Sequence, residues 1–216
     1  MIKKVLFLLA TGILTSVIVK AQDADKAKEI LDKVSEKTKS FKTIKADFSF
    51  TLENLQEDIT ETYDGSIKIK GNKYAIDLMD AKTYFDGKTL YTFMPETEEV
   101  NVSEPDENED GTINPAKIFS LYESGFKYRF IGEPVIDGKT LYEIDLYPES
   151  RDKPFSRIKL FIYKDNLTLE SLKQMGKDGN NYIIKVKKFQ NDLPFDDSEF
   201  TFNASAHPDV EVIDMR

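Results

Sequence analysis

The chain has 216 residues, of which 40% are hydrophobic, 12% aromatic and 32% charged, a composition that fits one ordinary globular domain, or at most two small ones, and excludes a disordered chain. With no Cys and a single His, His207, it offers no disulfide, thiolate metal site, cysteine nucleophile or lipid-anchoring cysteine, and little scope for His-dependent chemistry. Its 39 acidic and 30 basic residues give a net charge of −9, so a nucleic-acid backbone would have to bind against the molecule's own field, and nucleic acid is not an expected partner.

Residues 1–21 open with Lys3 and Lys4, run through an apolar stretch from Val5 to Val19 and close on Val19-Lys20-Ala21 before the polar Gln22-Asp23. That is the pattern of a secretory signal, and the apolar run falls short of the roughly 20 residues a permanent membrane helix needs. The expectation is a cleaved signal over 1–21 followed by one domain over 22–216: a soluble, disulfide-free protein of the bacterial periplasm.

Beyond the signal, Ala27, Ile30, Leu31 and Val34 recur at helical spacing with Lys and Glu opposite, predicting an amphipathic helix over 25–39. The period then changes to two. Ile44, Ala46, Phe48, Phe50 and Leu52 alternate with polar residues, and so do Tyr63, Gly65, Ile67 and Ile69, then Tyr74, Ile76 and Leu78. Asp86-Gly87 between two apolar runs predicts a hairpin with a tight primed turn, and Asp137-Gly138 and Asp178-Gly179 repeat the signal. Asn114 as cap, Pro115 at the first helical position and Gly125 beyond the end predict a second helix, whose Ile118, Phe119, Leu121 and Tyr122 are too apolar for a surface helix. Further strands are expected at 126–131, 140–147, 155–163, 168–175 and 182–189.

One antiparallel sheet with so few helices leaves a wide apolar face under-covered. A curled sheet with a helical lid would enclose a hollow lined by residues such as Phe48, Phe50, Tyr74, Ile76, Tyr91, Phe93 and Phe119, the alternative being a fully packed core. Nucleophile elbows, phosphate-binding glycine loops and metal-binding His pairs are missing from the sequence, and His207 beside Pro208 reads as a tail residue. A carboxylate-based hydrolase stays as a remote alternative, with no acidic pair singled out. Asp106, Asn108 and Asp110 followed by Gly111 resemble the start of a calcium loop, but Lys117 stands where a bidentate Glu is needed, so the segment reads as a solvated acidic connection and no metal or cofactor is expected.

Several stretches together resemble a known family, the periplasmic outer-membrane lipoprotein carriers of the LolA type. They are Leu31-Asp32-Lys33-Val34-Ser35 leading to Ile44-Lys45-Ala46-Asp47-Phe48-Ser49-Phe50, then Gly65-Ser66-Ile67-Lys68-Ile69-Lys70 and Phe85-Asp86-Gly87-Lys88-Thr89-Leu90-Tyr91 with Pro95. Asn114-Pro115 opening an apolar helix and Phe200-Thr201-Phe202 in a closing strand complete the order. The resemblance implies an unclosed antiparallel half-barrel of about eleven strands, with a helical lid over an apolar cavity. It implies no enzyme activity, but a carrier that takes acylated lipoproteins from an inner-membrane ABC transporter to an outer-membrane receptor. Leu31, Tyr74 and Phe119 fall where the family lines or gates its cavity, and Ile118 and Tyr122 share the helix of Phe119. The family's Arg-Pro pair after the second strand, which ties strand to lid, is replaced by Lys70-Gly71-Asn72, leaving Lys70 and Lys73 as the lid-latch candidates. A sensor or regulator that binds lipids or envelope proteins on the same fold is the second functional reading. A monomer is the expected state.

Overall fold

The computed structural model describes residues 22–105 and 125–216. The expected signal over 1–21, the calcium-loop candidates Asp106, Asn108 and Asp110, and the second helix with Ile118, Phe119 and Tyr122 lie outside the described residues.

Helix α1 spans 22–40 and buries Ala27, Ile30, Leu31 and Val34. Its solvent side carries the spaced pairs Lys28–Asp32 and Glu29–Lys33, which support an exposed helical face. The chain then makes two meanders. The first comprises β1 (Thr43–Asn54), β2 (Ile59–Lys70), β3 (Lys73–Leu78), β4 (Ala81–Phe85), β5 (Leu90–Met94) and β6 (Glu99–Ser103). The second comprises β7 (Phe126–Gly132), β8 (Val135–Ile136), β9 (Lys139–Pro148), β10 (Phe155–Tyr163), β11 (Leu169–Gly176) and β12 (Asn180–Asn191), and β13 (Glu211–Asp214) closes the chain.

The strands form one open sheet in the order β13-β6-β5-β4-β3-β2-β1-β12-β11-β10-β9-β7, with β8 paired to β9 off that path. Among the described strands neither end of the path pairs with the other, so the half-barrel is unclosed. The long pair β1–β12 welds the meanders together, and β13 lies parallel to β6, the one parallel pair among the described strands. The thirteen strands exceed the eleven or so that the resemblance implies, and alternation alone misses three of them: the short β6, the two-residue β8 and the four-residue β13.

Turn chemistry differs among the three Asp-Gly pairs. Only Asp137-Gly138 has both residues at positive φ, 50° and 75°, as a two-residue primed turn needs. At Asp86-Gly87 the loop is longer: Phe85 pairs with Leu90, and the Asp86 carboxylate accepts from the backbone N–H of Lys88 and Thr89 at 2.9 and 2.8 Å. Asp178 likewise accepts from the Asn180 N–H, and of that pair only Gly179 takes a positive φ. Of the residues expected as a closing strand, Phe200-Thr201-Phe202, Phe200 instead ends a 3-10 turn at Asp197–Phe200 and Thr201 caps it, and the start of that turn is fixed by a reciprocal cap between Asp196 and Glu199.

Candidate functional site

Cross-strand partners share a face of a sheet, so the registers sort every side chain to one of two sides. The face on which α1 packs is here the inner face. Over β9, β10 and β11 the helix closes it: Leu31 and Val34 sit in one buried cluster with Ile144, Leu160, Ile162 and Leu172. A second cluster continues the same face across β1, β2 and β3, where Ile44, Ala46, Phe48, Ile67, Ile69 and Tyr74 are buried. Phe50, Ile76, Leu78 and Phe85 pack against it, and Ile184 touches both clusters and joins them. Apart from Phe41, in the link between α1 and β1, all described members of the second cluster come from strands.

The registers build this face. Ile44 pairs with Ile69 and Ala46 with Ile67, while Ile67 faces Ile76 and Ile69 faces Tyr74 on β3. Tyr74 in turn pairs with Phe85, ring centroids 5.3 Å apart. Phe48 pairs with Gly65, and its ring occupies the space a side chain there would fill, since a Cβ at Gly65 would lie 2.7 Å from Phe48 Cζ. The sheet thus trades one side chain for a broad aromatic plate.

Of the residues expected to line a cavity, Phe48, Phe50, Tyr74 and Ile76 come together on the inner face, and Leu31 lies in the adjoining cluster under the helix. Tyr91 and Phe93 do not join them. Tyr91 pairs with Tyr84 and Phe93 with Lys82, which places both on the outer face. There Phe93 is buried among Phe202, at 5.2 Å, and His207, at 4.6 Å, so His207 is a member of an aromatic cluster and not a free tail residue.

The segment 193–207 straps this outer face, and the lysines expected to latch a helical lid hold the strap instead. Lys70 donates to the Phe195 carbonyl at 2.9 Å and to Asp197 at 2.7 Å, Lys73 donates to Asp197 at 2.7 Å, and Lys68 donates to Glu199 at 2.6 Å. The hydrogen bonds from Lys70 and Lys73 pull the Asp197 carboxyl down to about 2, and Lys68 lowers that of Glu199. The reason is parity: Ile67 and Ile69 face inward, so Lys68 and Lys70 must face outward.

On the outer face of the second meander, Asp145 is 1% exposed and accepts from Arg157 at 2.9 Å and from the Tyr147 hydroxyl at 3.1 Å, with the Lys159 ammonium 3.2 Å from its other oxygen. A groove of about 470 Å³ runs along α1, bordered by Leu31, Ser35, Tyr128 and four charged side chains of the helix. Its charged border sets it apart from the apolar Tyr74 cluster, which we take as the candidate ligand face on chemical grounds. Sequence alternation singles out Ile67 and Ile69 for the inner face; Phe85 and Gln174 are reached only through the registers. No group of three His, Cys, Asp or Glu among the described residues is placed to hold a metal ion.

The family described as "Outer membrane lipoprotein carrier protein LolA" matches residues 17–135, more than half of the chain. The chain belongs to this family. Solved structures with the same fold include an uncharacterized conserved protein from Thermus thermophilus, 14% identical over 88% of this chain and 99% of that one, with a TM-score of 0.57. LprF from Mycobacterium bovis is 16% identical over 81% and 97%, TM-score 0.50. A putative outer membrane lipoprotein-sorting protein domain from Vibrio parahaemolyticus is 9% identical over 82% and 97%, TM-score 0.47. At identities this low the first two speak for the fold alone. No curated protein matches the chain. The open half-barrel of the LolA family is therefore the frame in which the inner face has to be read, and that family is one of carriers, not of enzymes.

Proposed function

We propose that this chain is exported by a cleaved signal over 1–21 and serves in the periplasm as a carrier, taking up lipoprotein acyl chains on the inner face and shuttling them from the inner to the outer membrane. The observation that carries this reading is the apolar floor of Phe48, Phe50, Tyr74 and Ile76, continuous through Ile184 with the cluster beneath α1. Each methylene removed from water contributes about 0.8 kcal/mol, so a long acyl chain resists crossing an aqueous compartment by roughly 10 kcal/mol unless such a surface shelters it. Only differential binding is needed for delivery: the face must hold the chain less tightly than the next acceptor does. An inner-membrane ABC transporter and an outer-membrane receptor are the partners this role calls for.

The test is release from spheroplasts of the source bacterium by the purified chain 22–216. Energy-dependent appearance of lipoproteins in the soluble fraction, bound to the protein, is the expected result. Ile76→Glu and Phe50→Glu, both at half-buried positions, should block loading while leaving the circular dichroism unchanged. Undiminished loading by both variants would refute the inner face as the binding surface.

A further inference from the structure

We propose that Gln174 is the polar anchor of the inner face and makes it prefer amide-linked acyl chains over ester-linked ones. This rests on the acyl-binding reading above and specifies its ligand. Gln174 lies on β11 with cross-strand partners Ile158 on β10 and Tyr182 on β12. Ile158 pairs with Leu146, and both are fully buried in the cluster that α1 covers, so the side chain of Gln174 projects from the inner face. Two residues along, Leu172 and Ile184 form the neighbouring rung, and Ile184 is where the two apolar clusters meet. Gln174 therefore stands one rung from the junction of the helix-covered floor and the aromatic floor of Phe50 and Tyr74.

Its chemistry does not suit that address. The residue is 3% exposed, and its amide oxygen has no hydrogen-bond partner among the described residues. Buried polar groups are nearly always bonded, because leaving one unmet loses its hydration without replacement. The other buried oxygen without a hydrogen bond among the described residues, Oδ1 of Asp145, differs in kind: it belongs to a carboxylate on the outer face with the Lys159 ammonium 3.2 Å away. A leucine at this position would continue the row of Ile158 and Leu146 at no desolvation cost. A stability penalty held on a ligand-facing surface is the mark of a site whose partner arrives with the ligand.

That partner has to donate. A hydrocarbon chain cannot, and an ester linkage offers only acceptors, whereas an amide linkage carries an N–H that can meet the Gln174 oxygen. The preference predicted is thus between two linkages that differ by one donor, in a site where an unmet polar group is costly.

The experiment displaces a bound dansylated undecanoic acid from the chain 22–216 with two probes of equal length: N-palmitoylglycine methyl ester, which has the amide N–H, and its ester isostere, methyl palmitoyloxyacetate. The native protein should bind the amide about tenfold more tightly. Gln174→Leu should abolish that preference and should keep or raise the melting temperature. Equal binding of the two probes by the native protein, or a preference that survives in Gln174→Leu, would overturn the assignment, as would a lower melting temperature in the variant, which would mark the amide as bonded within the fold. Failure of either probe to displace the dye from either protein would instead overturn the acyl-carrier reading itself.

Discussion

Gly65→Ala tests whether the aromatic floor is built as the registers imply. The added Cβ would sit 2.7 and 2.9 Å from two ring carbons of Phe48 and 3.0 Å from the backbone oxygen of Asp77. Carbon atoms rest at about 3.5–4.0 Å, so the Phe48 ring must withdraw by roughly 1 Å, while the Asp77 carbonyl belongs to the paired strand β3 and has little freedom to move. Overpacking of this kind costs about 1–3 kcal/mol, and the loss of glycine's unfolded-state freedom offsets about 0.5–1 kcal/mol of it. The net expectation is a destabilisation of about 1–2 kcal/mol, lowering the melting temperature by roughly 5 °C for a chain of this size. Thermal unfolding followed by circular dichroism measures it, and the informative form is a double-mutant cycle with Phe48→Leu. With the ring gone only the 3.0 Å approach to the Asp77 backbone oxygen remains, so the cost of Gly65→Ala should become clearly smaller in that background. The same cost in both backgrounds, or no cost in the native one, would refute the packing of Phe48 over Gly65.

The strap on the outer face supplies two more tests. Because the Asp197 carboxyl is held at about 2, below its ordinary 3.8, the contribution of its pairs with Lys70 and Lys73 is complete above the ordinary value and is lost as pH falls through about 2. Asp197→Asn should therefore melt below the native chain at pH 6 and together with it at pH 2; a difference independent of pH would exclude these ion pairs as its source. Phe93→Ala should destabilise the fold by about 3 kcal/mol in urea titrations by emptying the cluster shared with Phe202 and His207. Acyl-probe binding by the folded Phe93→Ala protein should be unchanged, and a loss of binding would mean that Phe93 does face the ligand.

Periodicity made most of this molecule legible. The helical spacing of Ala27, Ile30, Leu31 and Val34, and the alternation through Ile44 to Leu52 and Gly65 to Ile69, are consequences of burying one side of each element, and both survive in the structure. Tyr91 and Phe93 show where the rule breaks. Placing them beside Tyr74 assumes that a sheet has one apolar face, yet either a two- or a four-residue loop at Asp86-Gly87 puts Leu90 with Phe85 and sends Tyr91 and Phe93 to the opposite side. Their apolar character comes from a cover that is remote in sequence, the strap around Phe200 and Phe202. A local signature of that strap exists, since Asp196 and Glu199 stand at capping-box spacing, but which face it covers depends on Lys68, Lys70 and Lys73 more than a hundred residues earlier. No local pattern encodes such a pairing.

The division of labour between the two faces follows from this. On the outer side the first meander is closed by hydrocarbon from the chain's own C-terminal segment and by three lysine–carboxylate pairs, while the second meander carries Asp145, Arg157 and Lys159. Neither arrangement offers room to an apolar ligand without breaking ion pairs or unseating Phe200, which is completely buried. On the inner side α1 is attached near its ends by exposed contacts, Lys26 to Glu133 and Lys37 to the Asn166 carbonyl, and between them by hydrocarbon packing in the cluster of Leu31 and Val34. Exposed ion pairs contribute little, about 0–1 kcal/mol each, and apolar contacts between helix and floor can be exchanged for contacts with an acyl chain at nearly equal free energy. The face that a hydrocarbon can enter by substitution is therefore the inner one, and the proposed carrier role, which requires both loading and unloading, needs that near balance.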